Sequence, residues 1–176
     1  MRPISVRCDG GFQERPFWGP EANDPSGSRC RLKRIDENAS LRVDVTDTNY
    51  ESSCFVSGGD KQLLVVKARL MEGRQKSWTQ WVKGTAANEE STKSLTPFTA
   101  GDKAVASSRF AAIFVPCTSP GKAPGGQYNL SVSTELKQAG NSSDDAVRDE
   151  LIKLTRTASS YTHAKAKCDM TPKIDE

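Results

Sequence analysis

Five cysteines, Cys8, Cys30, Cys54, Cys117 and Cys168, lie far apart along the chain and never as a CxxC pair. The ligand pairs of a structural zinc site and the dithiol of a thioredoxin-like motif both need a close spacing that this pattern lacks. Disulfides account for the cysteines better. Each bridge stabilises a fold by roughly 2 to 4 kcal/mol and persists only in oxidising compartments. The chain is therefore expected to work outside the cytoplasm, as an extracellular or cell-surface domain. Five is odd, so at least one sulfur is free, intermolecular or lipid-modified. Two pairs can be drawn from five cysteines in about fifteen ways, which leaves the connectivity open.

Such bridges need a sheet or core to brace. Of the 176 residues, 35% are hydrophobic and the mean hydropathy is −0.61, a composition with long polar connections. Runs such as Leu63 to Val66 and Phe110 to Val115 are nevertheless dense enough to seed one core. Residues 30–170 read as a single domain, 1–29 as an irregular lead-in punctuated by Gly and Pro, and 171–176 as a tail. Phe12, Phe17 and Trp18 are expected to fold that lead-in back onto the core. The net charge is +3, from 25 basic and 22 acidic residues that alternate rather than cluster, so no nucleic-acid stripe is expected.

Three segments repeat one pattern, a cysteine, a polar turn and then Leu-x-Val: Cys30 with Leu41 and Val43, Cys54 with Leu63 and Val65, Cys117 with Leu130 and Val132. Each reads as a β-hairpin, and Gly58-Gly59 supplies the positive φ of a tight turn in the second. Between the second and third hairpins, Trp78 and Trp81 stand three apart and share a face if Arg74 to Val82 is a helical turn or two. They read as lids over the sheet, with a ligand shelf as the functional alternative. A long helix closes the chain. Ser142 or Ser143 caps it, Asp144 and Asp145 suit its positive end, and Val147, Leu151, Leu154, Ala158, Tyr161, Ala164 and Cys168 trace one stripe over about 25 residues. That stripe brings Cys168 to the core, within reach of a strand-borne sulfur such as Cys117. The expected fold is α+β: an antiparallel sheet of hairpins, disulfide-braced, with a long C-terminal helix packed on one face.

Chemistry is harder to find. His163 is the single histidine and falls one position off the stripe, where it reads as a surface residue with no local nucleophile motif. Glu89-Glu90 and Asp144-Asp145 are explained by solvation and by a helix first turn. Asp44, Asp47 and Asn49 lack the Gly and distal Glu of a calcium loop, and Gly121-Lys122 lacks the cradle of a P-loop. No catalytic residue, metal or cofactor is assigned. Two functions remain in view. One is a non-catalytic secreted or cell-surface binding or structural module; the other is an extracellular hydrolase whose site assembles in space. A serine or carboxylate within reach of His163 in a cleft would favour the hydrolase, and a solvent-facing His163 the module.

The stretch Thr96 to Gly101, then Phe110-Ala111-Ala112-Ile113-Phe114-Val115-Pro116-Cys117-Thr118, the strand Leu130-Ser131-Val132 and an Ala-rich late helix ending in Cys168 resemble actinobacterial, Streptomyces-type secreted or membrane-anchored proteins. The resemblance spans residues 96–170 and, more loosely, 30–70. It implies an ectodomain on a membrane anchor and brings no catalytic or ligand residue with it. No 18-residue apolar run and no leader-like start occur in the sequence. An anchor or signal is therefore expected upstream, with Cys8 a weaker candidate for lipidation because Arg7 precedes it. A monomer with an unidentified protein or small-molecule partner is expected, with contact to the membrane through that anchor alone.

Overall fold

Alternation of side chains dictates the centre of the molecule. In the computed structural model, which describes residues 4–9, 51–58, 61–72, 75–86, 94–121 and 127–174, the two most deeply buried strands lie side by side. These are β6 (Phe110–Thr118) and β7 (Tyr128–Leu136), every residue of which is buried save the last of each. Burial on both faces requires cover on both. Around this pair the sheet is completed by β1 (Ile4–Asp9), β2 (Glu51–Gly58), β3 (Lys61–Glu72), β4 (Thr96–Pro97) and β5 (Lys103–Ala106), in the order β1-β2-β3-β7-β6-β5-β4. All pairings are antiparallel. The second and third expected hairpins are therefore present as β2–β3 and β6–β7, while the first, Cys30 to Val45, lies outside the described residues. So do Phe12, Phe17 and Trp18.

Three segments differ from expectation. Residues 4–9 fall within the lead-in read as irregular, yet Ile-Ser-Val-Arg-Cys-Asp alternates and pairs with β2 from Gly58 back to Ser53. The tail read from 171 onward is also structured: Ile174 is 2% exposed and belongs to the core. A third strand pair, β4–β5, lies where only a polar stretch was read, because Ala104 and Ala106 face the core with side chains too small to mark a strand.

The C-terminal helix α2 (Asp144–Lys165) begins where Ser143 accepts a hydrogen bond from the Ala146 amide, with Asp144 and Asp145 in its first turn. It lies across the face formed by Ala68 and Leu70 of β3, Leu130 and Val132 of β7, and Ile113 and Val115 of β6. The face it buries is rotated from the expected stripe. Leu151, Thr155, Ala158, Ser159, Thr162 and His163 are buried, whereas Leu154 and Tyr161 are only partly so and Ala164 is exposed. On the helix side the contact is made mostly by small side chains, Thr155, Ala158, Ser159 and Thr162, and the bulkier Leu154 and Tyr161 flank it. Polarity within it is handled in part by Thr155, whose hydroxyl donates to Leu151 O at 2.6 Å and lies 2.9 Å from Thr134 Oγ1.

The helix ends in a left-handed turn. The amides of Lys167 and Cys168 reach back to the carbonyls of Ala164 and His163, and Lys167, with φ 50°, occupies the position glycine usually takes. This reversal directs the chain beneath β6. There Pro116, lacking an N–H, coincides with a bulge that leaves Cys117 outside the β6–β7 pairing. The freed Cys117 carbonyl accepts the Asp169 amide at 2.9 Å, and the two sulfurs are joined, Cys117 to Cys168, with Cα atoms 4.4 Å apart. The chain then crosses the loop before β5, where Gly101 donates to Lys173 O at 2.7 Å. Gly101 has φ +56°, and a Cβ there would meet Phe114 O at 2.5 Å. Gly101→Ala is expected to lower stability by about 1 to 3 kcal/mol in chemical denaturation, from left-handed strain and displacement of that backbone. An unchanged midpoint would contradict this packing.

Candidate functional site

The opposite face of the sheet carries the best candidate. Helix α1 (Gln75–Trp81), continued by a π-helical turn over Val82–Ala86, sets Trp78 and Val82 one turn apart. Both sink onto Phe110, Ala112 and Phe114 of β6. Trp78 is 1% exposed, its ring centroid lies 5.4 Å from that of Phe114, and its indole N–H donates to Ser131 Oγ at 2.7 Å. Its polar atom is thus consumed inside the fold. Trp81, at the helix edge, is only partly buried and lies under the guanidinium of Arg69, 5.7 Å from ring centroid to Cζ. The Trp81 indole nitrogen is shielded and finds no acceptor. An unmet donor of this kind costs about 1 to 3 kcal/mol until some acceptor reaches it.

Beneath the tryptophans runs a polar row. Asn129, Ser131, Ser133 and Glu135 alternate along β7 on this face, all at or below 9% exposure. Register places Arg69 opposite Ser131 and Lys67 opposite Ser133. Glu135 takes a hydrogen bond from Lys137 Nζ at 2.6 Å. Aromatic plane and guanidinium therefore meet at one corner, with Lys67 two residues along the same face of β3, an arrangement suited to holding an acceptor-rich partner. Trp78 and Trp81 were singled out from the sequence; Arg69 was not. Its alternation with Ala68 and Leu70 put it on the outer face, but the meeting with Trp81 is a tertiary contact with no local signal.

His163 sits elsewhere, and differently than expected. It is 8% exposed, buried in the α2–sheet interface rather than on the surface, and its Nε2 has no partner. Ser159, one turn earlier on the same face, is fully buried with its hydroxyl also unpartnered. Burial pushes the His163 pKa below the usual imidazole value; backbone groups of Met170 and Pro116 pull weakly the other way. The imidazole neither stands in solvent nor bonds a nucleophile through Nε2, so neither of the two outcomes anticipated for it occurs.

Of the cysteines, Cys117 and Cys168 are joined, and Cys54 is likewise in a disulfide. Cys8 lies directly opposite Cys54 in the β1–β2 register; Cys30 lies outside the described residues, as do Glu89-Glu90 and the Asp44, Asp47, Asn49 cluster. Among the described residues no three His, Cys, Asp or Glu side chains gather to hold a metal ion, and no helix is long and apolar enough to cross a membrane. No protein-family model, curated protein or solved structure matches this chain.

Proposed function

We propose that the chain is a non-catalytic binding module of an extracellular or cell-surface protein, with the Arg69–Trp81 corner as its ligand contact. The observation that carries this reading is the partly open Trp81 ring stacked by Arg69. A planar cation on an aromatic face, beside Lys67 on the same face of β3, recognises groups rich in oxygen acceptors through charge-assisted hydrogen bonds. The disulfides support an oxidising location, since such bonds are reduced in most cytoplasms. The resemblance to actinobacterial ectodomains, on residues 96–170, points to the same side of the membrane.

The test is an affinity column bearing the protein, loaded with the extracellular and envelope fraction of its source. Wild type is expected to retain a component that Arg69→Ala and Trp81→Ala columns release, a loss of about tenfold or more in affinity for a contact worth 1.4 kcal/mol or above. Identical elution from all three columns would contradict the assignment of this corner. Hydrolysis of chromogenic ester, peptide or glycoside substrates that disappears in His163→Gln would instead favour the hydrolase reading.

A further inference from the structure

Antiparallel pairing holds opposed residues at a fixed spacing, and one rung of this sheet sets two cysteines against each other. β1 and β2 keep one register from Ile4 opposite Gly58 to Asp9 opposite Ser53, which places Cys8 opposite Cys54. The same rung continues through Val66 of β3 and Thr134 of β7. Directly opposed residues of an antiparallel pair have Cα atoms about 4.5 to 5.5 Å apart, inside the roughly 4.4 to 6.8 Å that a disulfide spans. Cys54 is half-buried, and its sulfur is already in a disulfide. Cys117 and Cys168 are taken by each other, so the mate of Cys54 in this chain is Cys8 or Cys30.

We propose that Cys54 is bonded to Cys8, a cross-strand bridge that fastens the terminal strand of the sheet, and that Cys30 is the cysteine left without a partner in its own chain. β1 stands at the end of the strand order and is registered on β2. A six-residue strand held by one neighbour belongs to the part of a fold that opens most readily. The rung of Cys8 and Cys54 is next to Asp9, where the chain leaves β1, and residues 10–50 return to the sheet at Glu51, the first residue of β2. A covalent link at that neck keeps the two strands in register whatever course the long connection takes. It also removes from the unfolded chain the freedom of the loop between Cys8 and Cys54.

Thiol–disulfide exchange selects the same pairing. Were Cys54 bonded to Cys30, Cys8 would be a thiol whose backbone the register holds within disulfide range of Cys54. The Cys8 thiol would lose its proton, its thiolate would attack Cys54 Sγ, and the new Cys8–Cys54 bond would form as the Cys54–Cys30 bond broke. Cys30 would leave as a thiolate and take up a proton, so the step consumes neither oxidant nor reductant. The reverse attack has to break a bond whose two ends the sheet already holds together, and the exchange therefore runs towards Cys8–Cys54.

Trypsin distinguishes the pairings without any variant. Cleavage after Arg7, Arg29, Arg31, Arg42 and Lys61 puts Cys8, Cys30 and Cys54 on separate peptides, and Pro16 protects the bond after Arg15. The whole protein, unfolded and alkylated at mildly acidic pH to halt exchange and with no reductant, is expected to yield residues 8–29 joined to residues 43–61. Cys30 is expected on a peptide of its own, alkylated or carrying a sulfur from another molecule. In Cys30→Ser both bridges are expected to remain by intact mass, with no shift of the unfolding midpoint in urea. A Cys30–Cys54 or Cys30–Cys8 peptide, a Cys54 that alkylates without reductant, or a bridge lost in Cys30→Ser would each overturn the proposal.

Discussion

Replacing Cys117 and Cys168 together by alanine is expected to lower the free energy of unfolding by about 4 kcal/mol, the chain-entropy value for a bridge closing a loop of this length. The sequence separation is 51 residues, so the freed unfolded chain regains considerable conformational freedom. The β6 bulge that positions Cys117 and the left-handed turn that positions Cys168 both persist without the bond, through the Asp169 amide and the Schellman-type hydrogen bonds. The native state is therefore expected to keep its shape while its unfolding midpoint in urea falls. A loss under about 1 kcal/mol would mean that the cross-link contributes little beyond what the fold already fixes.

Trp78→Ala is expected to cost about 3 to 5 kcal/mol, the range for emptying a large aromatic site in a packed interior. Its ring is the main cover of β6 on the outer face, lying over Phe110, Ala112 and Phe114. Loss of the indole would also strip Ser131 Oγ of its donor in a dry setting. Trp78→Phe separates the two contributions: it keeps most of the packing and is expected to cost about 1 to 2 kcal/mol, chiefly for the hydroxyl left unmet. Urea unfolding of both variants beside Ser131→Ala measures the coupling. If Trp78→Phe and Trp78→Ala cost the same, burial of the ring is not what holds this helix to the sheet.

The parts of this architecture that could be read in the sequence are those whose signals are local. Cys54 to Leu70 and Phe110 to Thr134 alternate around Gly- and Pro-rich turns, and both hairpins form. The late helix carries its own cap, Ser143, and its acidic first turn, and its start falls within a residue of the reading. Other features were hidden for physical reasons. In β5, alanines do the burying, and alanine carries too little apolar surface to announce a strand. Ile4 to Asp9 alternates, but the Gly and Pro crowded after it obscured a six-residue edge strand. His163 was misplaced because Leu154 and Tyr161 define the more hydrophobic stripe, whereas close packing against a sheet favours the smaller Thr155, Ser159 and Thr162. At the candidate site the two tryptophans showed themselves as aromatics three apart. The partner that distinguishes them, Arg69 over Trp81, joins elements whose approach no local pattern encodes.

The packing of the C-terminal segment against β6 and the proposed location both converge on one covalent bond. Proteolytic digestion of the protein as isolated from its source, alkylated before any reductant is added and analysed by mass spectrometry, reports on that bond directly. A peptide containing Cys117 joined to one containing Cys168, separable only after reduction, is the predicted result. Recovery of both cysteines fully alkylated without reductant would contradict the account.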